Sequence, residues 1–303
     1  MGGTGPTTPT TSTSSSGASG SKGDAFFTSL NPGALGISPG FEAAVDLAAE
    51  FGFGAVDPDA GYLREQPEAE LPKVRERLES KGLRWGSGGV PVDLAGDAPK
   101  FAEQLSGLPA YAAMLAAAGI DRAGTWIRPM SDAVTYRRQF ARYVERVGLV
   151  DEILSAAGVR FGLEYVGPKT FWSTEQYPFV HTLAELRELL AAVGSPNVGV
   201  ILDTFHWYTS GETADDLRGL TADQVVAVDL NDAPVGRERD EQIDGQRTLP
   251  GATGVIDLAG FVGALRDIGY AGPIKVEPFN AELRALPVRD VVAKTAESLA
   301  AVL

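Results

Sequence analysis

A chain of 303 residues, 44% of them hydrophobic, is long enough to bury a full core. Its net charge of −14 excludes a nucleic-acid surface, which needs clustered Lys and Arg. The absence of cysteine excludes disulfides and thiolate metal sites, and with no run of ~18 apolar residues nothing is expected to span a membrane.

The chain opens on a stretch of Gly, Ser, Thr and Pro, and residues 1–24 read as a disordered tail. That tail lacks the apolar segment of a secretory signal, so the expected compartment is the cytoplasm. Residues 25–303 are expected to form one catalytic domain. Strand one is expected over 26–30, followed by a helix over 41–50 that Gly52 stops. Strand two, 54–57, ends in Asp57. A charged helix over 71–80 leads to strand three, 83–90, whose end is rich in glycine. A helix over 98–118 carries Pro109, which is expected to break or kink it. Strand four covers 124–129. A long helix over 132–157 shows Phe140, Val144, Val147 and Val150 at helical steps.

Strand five covers 160–166, and Thr182 to Glu185 form a capping box for the next helix. Strand six, 198–203, is a continuous apolar run that ends in Asp203, which implies burial on both faces. A short helix over 214–220 precedes strand seven, 224–230. Asp257 caps a helix that Gly269 ends, strand eight covers 272–279, and a last helix runs over 288–303. Eight strand–helix alternations without a Gly-x-Gly-x-x-Gly after strand one predict a closed α/β barrel, the (β/α)8 TIM barrel.

Four of these strands end in an acid: Glu164, Asp203, Asp229 and Glu277. In a barrel, strands five to eight converge on one mouth, where four carboxylates would repel and raise one another's pKa. A divalent cation removes that cost, and an oxygen ligand set suits Mg²⁺ or Mn²⁺. The plainer alternative is that each acid caps a following helix or pairs with an arginine. His206, three residues past Asp203, is a candidate donor or base, whereas His181, at the start of a helix, reads as structural. The polar loop over 231–254 exceeds the ordinary loop length and carries Arg247, which could hold a substrate oxygen. Tyr62, Trp85, Trp126, Trp172 and Trp207 are candidate stacking surfaces, with packing under loops the commoner use of such rings. Lys169 and Arg128 are candidate substrate contacts. No phosphate cradle follows strand seven or eight, which favours an unphosphorylated sugar.

At these residues the chain resembles the sugar phosphate isomerase/epimerase family of the xylose isomerase-like TIM barrel superfamily. The resemblance covers about residues 26–303. It is carried by Leu-Glu164, Asp203-Thr-Phe-His206, Val-Asp229-Leu-Asn-Asp232, Arg247 ahead of Pro250-Gly251, and Val-Glu277-Pro. It implies a metal held by Glu164, Asp203, Asp229 and Glu277, with Asp229 standing where the family usually has histidine. It also implies that Glu164 and Glu277 transfer protons while His206 and Arg247 bind substrate oxygens.

The chemistry follows from the residues as well. Removing a proton beside a carbonyl needs a base and charge stabilisation on the oxygens, and a metal supplies the second. Two carboxylates on opposite faces allow one to take the proton and the other to return it. The expectation is therefore a divalent-metal-dependent isomerase or epimerase acting on a small-molecule sugar through an enediolate, with a homo-oligomer left open. A keto-sugar lyase or dehydratase, including one that cleaves glycosides by elimination, is the alternative on the same metal site. A DNA-repair endonuclease of the same superfamily would need clustered histidines and a basic surface; this chain has two histidines and a net −14. A non-catalytic binding barrel is the remaining alternative.

Overall fold

The structure, a computed structural model, describes residues 1–3 and 26–303. The expected tail falls mainly on residues 4–25, outside the described residues. Eight parallel strands line the core: β1 Phe27–Leu30, β2 Ala55–Val56, β3 in two pieces at Arg84–Trp85 and Gly88–Gly89, β4 Arg122–Trp126, β5 Arg160–Glu164, β6 Val198–Asp203, β7 Val225–Leu230 and β8 Pro273–Val276. The first piece of β3 pairs with β2 (Ala55 with Arg84), and the second pairs with β4 (Gly88 with Ala123). From β4 the ladder runs through β5, β6, β7 and β8 to β1 and β2, so the circle closes through β3. The expected closed barrel is what the chain adopts.

Inside the barrel, β6 and β7 are buried along their whole length. Ile201 fills the centre: a Cβ at Gly124 would sit 2.3 Å from its Cδ1, and one at Gly162 would sit 2.6 Å from its Cγ1. Those two glycines, on β4 and β5, therefore admit a large side chain from β6.

Of the break or kink expected at Pro109, the break does not occur: the helix Ala98–Ala118 runs through the proline. Leu108, Ala112 and Leu115 are buried on either side, so packing holds the helix where one N–H is missing. The expectation for strand eight was too long: the ladder stops at Val276, and Glu277 already belongs to the mouth. Short helices in the loops, such as Pro32–Leu35 and Lys169–Trp172, were not legible from periodicity. Among the described residues no helix is long and apolar enough to cross a membrane.

Candidate metal and proton-transfer site

In a parallel barrel the carboxyl ends of all the strands open on the same mouth. Here Asp203 of β6 is in register with Asp229 of β7, and Asp229 is in register with Lys275 of β8. Glu164 ends β5, and Glu277 follows β8 with the same side-chain parity as Lys275. One carboxylate oxygen from each of Glu164, Asp203, Asp229 and Glu277 lies within 4.8 Å of the other three. Glu164, Asp203 and His206 satisfy the same distance condition.

Asp203 is fully committed. Its Oδ1 accepts from the backbone N–H groups of Phe205 (2.7 Å) and His206 (3.1 Å), which caps the short helix Thr204–Thr209. Its Oδ2 accepts from Asn231 Nδ2 at 2.9 Å and Arg247 Nη1 at 3.0 Å. For this acid the plainer alternative, cap plus arginine, is realised alongside membership of the cluster. Glu164 and Asp229 differ, since Glu164 Oε1 and Asp229 Oδ1 are buried without any hydrogen-bond partner. An orphaned carboxylate oxygen in a dry site costs several kcal/mol unless a proton or cation meets it.

Electrostatics point the same way. Burial, reinforced by Glu277, Asp229 and Asp203, raises the Glu164 carboxyl well above the usual range. Burial likewise pushes Asp229 up to about 8 against the pull of Lys275, and raises Glu277 against the pull of Arg247 and Lys275. Two cations, Arg247 and Lys275, face the four carboxylates, so with all four ionised two negative charges would be uncompensated. The donor set, the orphaned oxygens and the residual charge all fit a hard divalent cation.

Arg247 forms the opposite wall. Its guanidinium reaches Asp203, Glu277 Oε2 at 3.4 Å and Asp244 Oδ1 at 2.7 Å, and Nη2 lies 3.3 Å from His206 Nε2. The rings of Phe205 and Phe279 flank it at 5.0 and 4.6 Å. Phe279 holds φ at 38°, in the left-handed region that a bulky residue rarely enters. Burial lowers the pKa of His206, so the ring is neutral near pH 7, with Gly167 N–H donating to Nδ1 at 3.3 Å.

The other expected residues are distributed as follows. Lys169 pairs with Asp240 at 2.6 Å and ties the loop after β5 to the loop after β7. Arg128 pairs with Glu175. Trp85 is buried and donates to Ala118 O, and Trp207 packs on Phe261. Tyr62 stacks on Phe41, and Trp172 stacks on His181. Trp126 alone of these rings is substantially open, at 49% exposure.

Three charged groups at the mouth were not among the expected site residues. Asp244 clamps Arg247 and lies 3.8 Å from His206 Nδ1; in the sequence it is one acid among several in a polar loop. Asp57, at the end of β2, accepts from Ser29 (2.5 Å), Asn31 (2.9 Å) and Ser87 N–H (3.1 Å). Lys275 carried one signal, its place two residues before Glu277 on the same strand face. Asp232, by contrast, is structural: it accepts from the backbone N–H groups of Ala233, Thr253, Gly254 and Ile256 and folds the loop.

A family model described as "Xylose isomerase-like TIM barrel" matches residues 45–302. An inosose isomerase of Halalkalibacterium halodurans is 31% identical over 151 residues, 49% of each chain. The chain thus spans about half the length of the first curated relatives it matches. A D-psicose 3-epimerase of Agrobacterium fabrum is 24% identical over 256 residues, 79% of each chain. Among solved structures, a xylose isomerase domain protein from Alicyclobacillus acidocaldarius superposes with a TM-score of 0.80 at 31% identity, covering 92% of this chain and 98% of its own.

Proposed function

Because this chain belongs to the xylose isomerase-like TIM barrel family, we propose that it is a divalent-metal-dependent sugar isomerase or epimerase. The observation that carries this reading is the meeting of four carboxylates within 4.8 Å, two of them with buried, unpartnered oxygens. Glu164, Asp203, Asp229 and Glu277 would hold the ion, with Mn²⁺ or Mg²⁺ favoured by the all-oxygen set. When bound, such an ion supplies Lewis-acid stabilisation of negative charge on the substrate's carbonyl and hydroxyl oxygens.

The protein's own groups move the proton. Glu164 and Glu277 stand on separate strands, β5 and the end of β8, and both carry raised pKa values. One takes the proton from the carbon beside the carbonyl, leaving an enediolate, and the other returns a proton to the opposite face or the adjacent carbon. Arg247 fixes Asp203 and Glu277 through charge-assisted bonds. His206, neutral and buried, offers a ring nitrogen to a substrate hydroxyl. The expected substrates are small ketoses or cyclic keto-polyols, a reading supported by the relatives named for inosose and D-psicose chemistry.

The test joins metal analysis to solvent exchange. Protein freed of metal and reloaded with Mn²⁺ is incubated with ketoses and inososes in deuterated water, and the carbon-bound deuterium is read by NMR. Metal-dependent exchange is expected; its absence in every sugar with metal bound would defeat the reading. A keto-sugar lyase shares the first proton removal and would show itself by loss of a β substituent.

A further inference from the structure

We propose that Lys275 is an additional substrate-binding residue and that it receives an uncharged oxygen of the substrate. The proposal rests on the sugar-isomerase reading of the same mouth. Lys275 stands on β8, two residues before Glu277, with its side chain turned into the barrel. Its ammonium lies 3.4 Å from Asp229 Oδ2 and 4.0 Å from Asp57 Oδ2, and among the described residues it makes no hydrogen bond. Three donors on a largely buried cation are thus left for something else. The side chain is still 17% exposed, so a ligand can reach it.

Its position decides what that ligand part is. On one side lies the acid cluster, through Asp229. On the other, Asp57 lines a cleft of about 520 Å³ between the loops after β1 and β2, with Asn31, Ile37, Phe41 and Pro58 among its walls. Lys275 is the bridge between the cluster and this cleft. A substrate whose carbonyl end meets the four carboxylates and whose other end enters the cleft passes the ammonium. In the metal-loaded protein, where Asp229 has given up its proton, Asp57 and Asp229 flank that single positive charge and leave no surplus of it for an anion. A phosphate or carboxylate would be repelled there, whereas a hydroxyl or ether oxygen accepts a charge-assisted hydrogen bond without that cost. The implied substrate is a polyol-type keto compound that is neutral at the end remote from its carbonyl.

The experiment uses the full chain loaded with Mn²⁺, with D-psicose and D-psicose 6-phosphate as probes. Calorimetry reads Mn²⁺ affinity and sugar affinity separately for the unsubstituted protein, Lys275→Met and Lys275→Arg; exchange in deuterated water is recorded beside them. Expected are at least tenfold tighter binding of the neutral sugar than of the phosphate, and a tenfold to hundredfold loss of neutral-sugar binding in Lys275→Met. Mn²⁺ affinity should stay within about threefold, and Lys275→Arg should recover part of the sugar binding. Sugar binding unchanged in Lys275→Met, or lost only in step with Mn²⁺, overturns the contact and leaves the isomerase reading intact. Sugar binding that depends on Lys275 without any exchange supports the contact and counts against the isomerase reading. No binding of the neutral sugar to the unsubstituted protein overturns the contact.

Discussion

Without metal, the protein should lose stability as pH rises, and metal should abolish that loss. Asp229 carries the argument. Its carboxyl, ordinarily near 3.8, is pushed up to about 8 in the fold, mainly by burial. Between those two values the folded state holds a proton that the unfolded state has released, so stability falls with increasing pH across that window. The contribution is fully present below about 3.8 and gone above about 8. One proton corresponds to about 1.4 kcal/mol per pH unit, and the slope halves as the folded pKa is reached, so moving from about pH 6 to about pH 8 costs roughly 2 kcal/mol. For a domain of this size that is a drop in Tm of roughly 4 °C. A divalent cation replaces the proton as the partner of the orphaned Asp229 oxygen, so the loaded protein should show a flat profile and release protons on binding. Differential scanning calorimetry in chelator and in Mn²⁺ across this range, with Asp229→Asn as control, reads the effect. A chelated protein whose Tm is flat or rises over this window, with no gain on adding metal, would refute the electrostatic account of the cluster.

Three further outcomes are expected. Glu164→Gln and Glu277→Gln should each lower deuterium exchange by roughly 10²–10⁴-fold, measured by NMR on a responsive ketose, with the far-UV spectrum unchanged. Arg247→Met removes the cation shared by Asp203, Asp244 and Glu277. It should cost about 3–5 kcal/mol in urea denaturation of the metal-free protein, and a cost below about 1 kcal/mol would show that the acids do not depend on it. Gly86→Ala would put a Cβ 1.9 Å from Asp57 Oδ1 and 2.2 Å from Ser29 Oγ, so it should lower stability by about 1–3 kcal/mol, read as a shifted urea midpoint.

The barrel was legible because its information is periodic. Continuous apolar runs such as 198–202 mark strands buried on both faces, and Thr182 with Glu185 or Asp257 marks helix starts that the structure reproduces. The four strand-end acids were legible because a carboxylate after such a run has nowhere to go but the mouth. Side-chain pairing across distant loops was not legible, since spacing carries no trace of it. Lys169, a candidate substrate contact in sequence, is paired with Asp240, seventy-one residues on. Asp244 looked like one more acid in a polar loop, yet it fixes Arg247, the guanidinium that touches Asp203. Strand three was readable as a strand, but its division into two pieces that pair in turn with β2 and β4 was not.

The mouth is divided along the chain. Its second half, β5 to β8, supplies the cluster's charge: every acid of the cluster, both compensating cations and the neutral imidazole arise between residues 164 and 277. Its first half supplies room, since the loops after β1 and β2 border the cleft of about 520 Å³. Charge clusters tolerate little displacement, because a carboxylate moved by an ångström leaves its partner buried and unpaired. A cleft walled by Pro, Ile and Phe can change shape by single substitutions without touching that balance. Proton-transfer chemistry and substrate choice are thereby carried by different strands, and Lys275 with Asp57 is where the two halves meet.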